Sequence, residues 1–168
     1  MLHTMTPKSP EHTTVSFFIG TAQPHVDNKA VSRLPSFLVP VQAGFPSPAE
    51  DYRAQDLNLH EHLVHNPAAT FFARASGDSM INAGIHDGDL LVIDRSIPPE
   101  NGSVVIAAVA GELTVKRLVL KEQRAFLAPE NDRFPNIDIT GSEDTVIWGV
   151  VTHSIHKMRF QQSNNDEP

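Results

Sequence analysis

From residue 69 to residue 155 the chain is punctuated into apolar runs that are mostly too short for helices of ordinary length. TFFARA, LLVID, SVVIAAVA, LTVKRLVL, AFLA and TVIWGVVTHSI are rich in Val, Ile, Leu and Phe, whose branched or aromatic side chains pack well on a pleated surface. HDGD, PENG and AGE stand between runs and supply the Gly, Asp, Asn and Pro that tight turns require. Strands of this length and texture predict a compact, mainly β, mostly antiparallel domain. A chain of 168 residues with 40% apolar content is enough for one such core and too little for two. It contains no cysteine, which removes disulfides, thiolate nucleophiles and cysteine zinc sites together.

The front of the chain has a different texture. Seven of the 13 prolines lie at or before Pro48, and proline there removes backbone donors and blocks both helix and ladder formation. Residues 1–43 therefore read as an arm, largely irregular over its first 35 or so residues, where VSFFIG at 15–20 is the one apolar cluster able to dock as a strand or meet a partner. The arm is slightly basic and the body acidic, so the formal charge of −7 sits in the body. That balance argues against a protein that coats a nucleic acid backbone. AEDYRAQDLNLHEHLVHN, between Pro48 and Pro67, suits one or two short helices broken near residues 56–58. The polar tail at 161–168 has the composition of a disordered segment. No apolar run reaches the roughly 18 residues of a membrane span, and the N-terminus lacks the basic and apolar regions of a secretory signal. No membrane partner and a cytoplasmic location are expected.

Nine histidines invite a search for metal ligands. HEHLVH at 60–65 has Val64 where a zincin helix needs its second histidine, so His60, His62 and His65 read as solvent-facing residues. Asp87-Gly88-Asp89 lacks the further acids of a calcium loop and reads as a turn. No metal ligand and no cofactor are assigned.

The nucleophiles that remain are Ser, Thr, Lys and carboxylates. No serine sits in a G-x-S-x-G elbow. Ser79 lies in Gly77-Asp78-Ser79-Met80, where the glycine lets the backbone turn sharply and present consecutive N–H groups beside a hydroxyl. By itself this is also what an ordinary polar turn looks like. Lys116, in LTVKRLVL, shares a strand face with Thr114, Leu118 and Leu120, while Val115, Arg117 and Val119 face the other way. Alternation leaves two readings for it: an edge-strand lysine that discourages aggregation, or a desolvated amine whose pKa has fallen far enough to act as a base.

ASGDSMINAGIHDGDLLVIDRS followed by NGSVVIAAVAGELTVKRL resembles the LexA/UmuD family of self-cleaving Ser-Lys peptidases, and the likeness extends from Gly44 to about Arg159. The family pairs a serine in a G-x-S-M turn with a lysine 37 positions downstream, and Lys116 stands 37 positions after Ser79. The resemblance implies a LexA C-terminal-like, signal-peptidase-like β domain at 44–160, with Ser79 as nucleophile and Lys116 as general base. It also offers the backbone N–H groups of Asp78 and Ser79 as an oxyanion hole. The family cuts its own chain between a small residue and a glycine upstream of the serine. Here VPVQAGFPSP supplies Ala43-Gly44, flanked by prolines that favour an extended, threadable segment.

What the resemblance implies beyond chemistry is a homodimer stimulated by a RecA nucleoprotein filament on single-stranded DNA. The cut form then serves a UmuC-type Y-family polymerase in translesion synthesis, with no specific DNA contact of its own. A LexA-like repressor is the alternative, but an arm of 43 residues with five prolines is too short for a DNA-binding domain with a core. A non-catalytic interaction module on the same fold is a second alternative. The apolar SVVIAAVA and TVIWGVV segments are expected to be exposed enough to support a dimer.

Overall fold

The computed structural model describes residues 16–17, 34–37 and 54–158. The predicted strands form an eight-stranded antiparallel sheet. Its members, in chain order, are β1 (Ser16–Phe17), β4 (Thr70–Arg74), β5 (Leu90–Asp94), β6 (Val104–Val109), β7 (Glu112–Lys121), β8 (Arg124–Ala128), β9 (Ile137–Asp138) and β10 (Thr145–Ile155). In space they run β1-β4-β5-β10-β6-β7-β8-β9. A separate antiparallel pair joins β2 (Leu34–Phe37) to β3 (Ala54–Leu57). The short helix α1 (Leu59–Leu63) follows, and Ile81–Ala83 form one 3₁₀ turn. The mainly β architecture expected from the sequence is the one found.

Two parts of the sequence reading change. Among the described residues of the 48–67 stretch, 54–67, only 59–63 are helical. Asn58 is the N-cap, its side chain accepting from the His60 and Glu61 N–H groups, which is how an Asn ends an extended run and starts a helix. Residues 54–57, on the other side of that break, are drawn into a strand because Leu34–Phe37 offers them a ladder. Local pattern loses to tertiary pairing there. The arm, expected to be irregular, contributes β1 and β2, and Ser16 and Phe17 register with Arg74 and Ala73, so these two residues of VSFFIG pair as a short strand. Ala43 and Gly44, and the 161–168 tail, lie outside the described residues.

The second change concerns exposure. β6 is an interior strand between β10 and β7, and Val105, Ile106 and Ala107 are wholly buried. SVVIAAVA is therefore core and offers no dimer surface. In β10 the exposed apolar side chains are Val146, Trp148 and Ile155. The alternation of β6 splits its residues between two apolar clusters. Ile106 joins Met80, Ile85, Leu91, Ile93 and Val115, while Val105 and Ala107 join Leu118 and Leu127. A strand buried on both faces reads as a continuous apolar run for that reason.

β10 holds the two halves of the sheet together, pairing β6 through its first half and β5 through its second. Its registers shift between Ile147 and Gly149 and again between Val151 and His153. Such irregularities bend and twist a strand, allowing one long element to serve two neighbours. Gly149 sits where the crossing is tightest. A Cβ there would lie 2.7 Å from Ile93 Cγ2 and 3.0 Å from the Asp94 carbonyl oxygen. Gly149→Ala is expected to destabilise the chain by about 1–3 kcal/mol through overpacking, read as a lowered urea midpoint with an unchanged m-value.

Candidate active site

The sharp turn at 77–80 begins with Gly77 at φ 88°, a left-handed conformation that glycine adopts without a Cβ penalty. The turn is braced on three sides. The Gly77 N–H donates to Asp87 Oδ1 at 2.8 Å. The Glu130 N–H donates to the Ser79 carbonyl at 2.8 Å, and the Asn82 N–H to the Glu130 carbonyl at 2.9 Å. Asn131 Nδ2 donates to the Asp78 carbonyl at 3.0 Å, and Arg133 pairs with the Asp78 carboxylate. Residues 130–133, which follow β8, thus grip the turn from a distance of some fifty positions along the chain. Arg117 in turn pairs with Glu130 and donates to the Gly102 carbonyl, tying the gripping segment to β7.

Lys116 reaches the same place from β7. The register sets Lys116 opposite Val105 and Thr114 opposite Ala107, so the two side chains share the sheet face that carries Val105, Ala107, Leu118 and Leu127. β7 lies between β6 and β8, which rules out the edge-strand reading. Lys116 is 1% exposed and Ser79 fully buried. Lys116 Nζ stands 2.8 Å from Ser79 Oγ, 3.0 Å from Thr114 Oγ1 and 3.0 Å from the Val115 carbonyl oxygen. Three acceptors match the three donors of an ammonium. Burial nonetheless pushes the lysine pKa down from 10.5 to about 8, because taking an ammonium out of water disfavours the charged form. Near neutral pH a modest fraction of the amine is neutral, with its lone pair within hydrogen-bond reach of the serine hydroxyl.

The structure brings Ser79 and Lys116 together across 37 positions, with Asp78 beside them in the same turn. Alternation on β7 placed Thr114 on the lysine's face, which is the signal for its part in the site. For Glu130, Asn131 and Arg133 the sequence carries no comparable signal, since PENDRF reads as an ordinary turn and nothing in it points back to residue 78. His60, His62 and His65 are exposed, as expected. The DGD turn holds more than was expected of it: Asp89 is 2% exposed and lies beside His86 and His156. Burial raises the Asp89 pKa, but hydrogen bonds from the His86 N–H, His156 and Ser154 outweigh it and hold the carboxyl below the usual carboxylate range. Among the described residues, no helix is long and apolar enough to cross a membrane.

Residues 36–152 match the family described as Peptidase S24-like. Protein MucA of Escherichia coli is 51% identical over 126 residues, covering 74% of this chain and 86% of that protein. Protein ImpA of Shigella flexneri is 49% identical over 138 residues, 82% of this chain and 92% of ImpA. The LexA repressor of Exiguobacterium sibiricum is 38% identical over 125 residues, 71% of this chain and 60% of the repressor. With the family match spanning well over half of the sequence, and the G-D-S-M turn and the downstream lysine meeting inside it, the chain belongs to the Peptidase S24-like family, the LexA/UmuD group that its sequence resembles.

Proposed function

We propose that this protein is a UmuD-like self-cleaving peptidase of the SOS response, cutting its own Ala43-Gly44 bond. The single observation that carries this reading is the buried 2.8 Å contact between Ser79 Oγ and Lys116 Nζ within a Peptidase S24-like chain. In the proposed reaction Ser79 Oγ attacks the carbonyl carbon of Ala43 while its proton passes to neutral Lys116 Nζ. The N–H groups of Asp78 and Ser79 face the developing oxyanion. The C–N bond then breaks, Lys116 returns the proton to the amine of Gly44, and Ala43 is left as an ester on Ser79. Water, deprotonated by Lys116, hydrolyses that ester and restores the serine. No cofactor or metal takes part.

Stimulation by a RecA nucleoprotein filament, homodimerisation, a cytoplasmic location and service to a UmuC-type Y-family polymerase in translesion synthesis complete the proposal. The higher identity to MucA and ImpA than to the LexA repressor favours this reading over a repressor.

The test is to incubate the purified full chain at alkaline pH, and separately with RecA filaments. Cleavage between Ala43 and Gly44 of the 168-residue chain predicts fragments of 43 and 125 residues by mass spectrometry. Gly44→Glu is expected to abolish both fragments by spoiling the substrate while leaving the thermal midpoint unchanged. An intact wild-type chain under both conditions would overturn the proposal in favour of a non-catalytic module.

A further inference from the structure

Away from Ser79, three metal-ligating side chains from distant parts of the sequence converge. His86 and Asp89 belong to the turn that leads into β5, and His156 follows the last strand, β10. One ligand atom from each lies within 4.8 Å of the other two. His156 Nδ1 is 2.5 Å from Asp89 Oδ1, and His86 Nδ1 is 3.8 Å from Asp89 Oδ2. The imidazole centroids are 4.9 Å apart. A tetrahedral ion with bonds of about 2.0–2.1 Å holds its ligand atoms about 3.3 Å from one another, so small rotations of two surface imidazoles reach the required spacing.

Two further observations point the same way. His86 Nδ1 is shielded from solvent and has no hydrogen-bond partner among the described residues. A buried ring nitrogen left without a partner is uncommon and calls for an explanation. The Asp89 carboxylate is also already oriented as an outer shell orients a metal ligand. Its Oδ2 accepts from the His86 backbone N–H at 2.9 Å and from Ser154 Oγ at 2.9 Å. The carboxylate itself is 1% exposed, whereas the side chains of His86 and His156 are 45% and 41% exposed, which leaves an ion a route in from solvent.

We propose that His86, Asp89 and His156 form a binding site for one divalent transition-metal ion of the zinc class. Two imidazoles and one carboxylate are borderline ligands, suited to zinc or cobalt and poorly suited to magnesium or calcium, which prefer all-oxygen shells. Binding replaces the hydrogen bond between His156 and Asp89 with two bonds to the ion and leaves a fourth position for water. The ion ties the segment after β10 to the turn before β5. Asp87 of that turn receives the Gly77 N–H, so the site braces the serine turn from behind. Its role is structural, and it stands or falls independently of the self-cleavage reading.

The experiment uses the tag-free full chain at pH 7, titrated with Zn²⁺ by calorimetry and with Co²⁺ by visible absorption. One equivalent of ion is expected, bound in the micromolar range or tighter. The Co²⁺ adduct should show the intense visible bands of a tetrahedral complex. His86→Ala and His156→Ala should each weaken binding at least tenfold and abolish the Zn²⁺-dependent rise in thermal midpoint. Asp89→Asn should do the same, and if it does not fold, the two surface histidine variants decide. A His60→Ala/His62→Ala double variant should bind as the wild type does. Absence of binding, affinity unchanged in His86→Ala and His156→Ala, or affinity lost in the helix double variant would each overturn the proposal.

Discussion

Replacing Ser79 by Ala is expected to eliminate the 43- and 125-residue fragments while leaving the fold intact, and Lys116→Ala is expected to do the same. The expected loss is at least about 10³-fold in the first-order rate, because nucleophile and base act as a unit and removing either leaves little for the other to do. Ser79→Ala removes one hydroxyl from a site whose backbone is held by the Gly77–Asp87, Ser79–Glu130 and Asp78–Asn131 hydrogen bonds. None of these uses the serine side chain, so the turn should survive. The check is gel densitometry at pH 9 alongside circular dichroism and thermal melts. Combining both substitutions should cost no more than either alone. A Lys116→Ala chain that still cleaves at neutral pH would remove the lysine from the mechanism. Lys116→Arg is the instructive companion, since a guanidinium keeps its proton and cannot act as base.

The second large effect is on pH dependence, and it links stability to activity through one side chain. A lysine moved from 10.5 to about 8 carries about 3 kcal/mol of burial cost for its charged form. Below pH 8 both the folded and the unfolded chain hold the proton, so folding bears that cost in full. Between pH 8 and 10.5 the folded chain has released a proton that the unfolded chain still binds, and stability rises with pH. From pH 7 to pH 10 the rise attributable to Lys116 is about 2–3 kcal/mol. It should vanish in Lys116→Met, which keeps the length of the side chain without a titratable group. Urea denaturation of both proteins in a Ser79→Ala background, to prevent cleavage during the measurement, gives the difference directly. If the two proteins gain equally, the lysine is not desolvated as described. In the active chain the cleavage rate should climb about tenfold per pH unit below 8 and level off above it, since only the neutral amine accepts the serine proton.

A charged residue whose burial costs the fold about 3 kcal/mol below pH 8 is hard to explain by stability alone. The geometry gives the cost a use, because the same desolvation that destabilises the ammonium prepares the amine. Val105, Ala107, Leu118 and Leu127 on the lysine's sheet face keep water away. The oxygens of Ser79, Thr114 and Val115 hold the nitrogen in place.

What the sequence by itself determined follows from local physics. Strand length, alternation and turn residues announced six of the eight strands of the main sheet, because side-chain direction along a strand has a period of two whatever the strand pairs with. The 37-residue spacing from Ser79 to Lys116 was legible only because the segments around both residues resemble a family in which that spacing is used. What only the tertiary structure decided depends on partners distant in the chain. Residues 54–57 are strand because residues 34–37 pair with them, and β6 is core because β10 and β7 pair with its edges while an apolar cluster packs on each of its faces. The clamp of Glu130, Asn131 and Arg133 on the serine turn, and the meeting of His86, Asp89 and His156, join residues some fifty to seventy positions apart. Hydrogen bonds and metal-ligating geometry act over about 3 Å, and only the sheet, by folding those segments onto one another, brings them within that range.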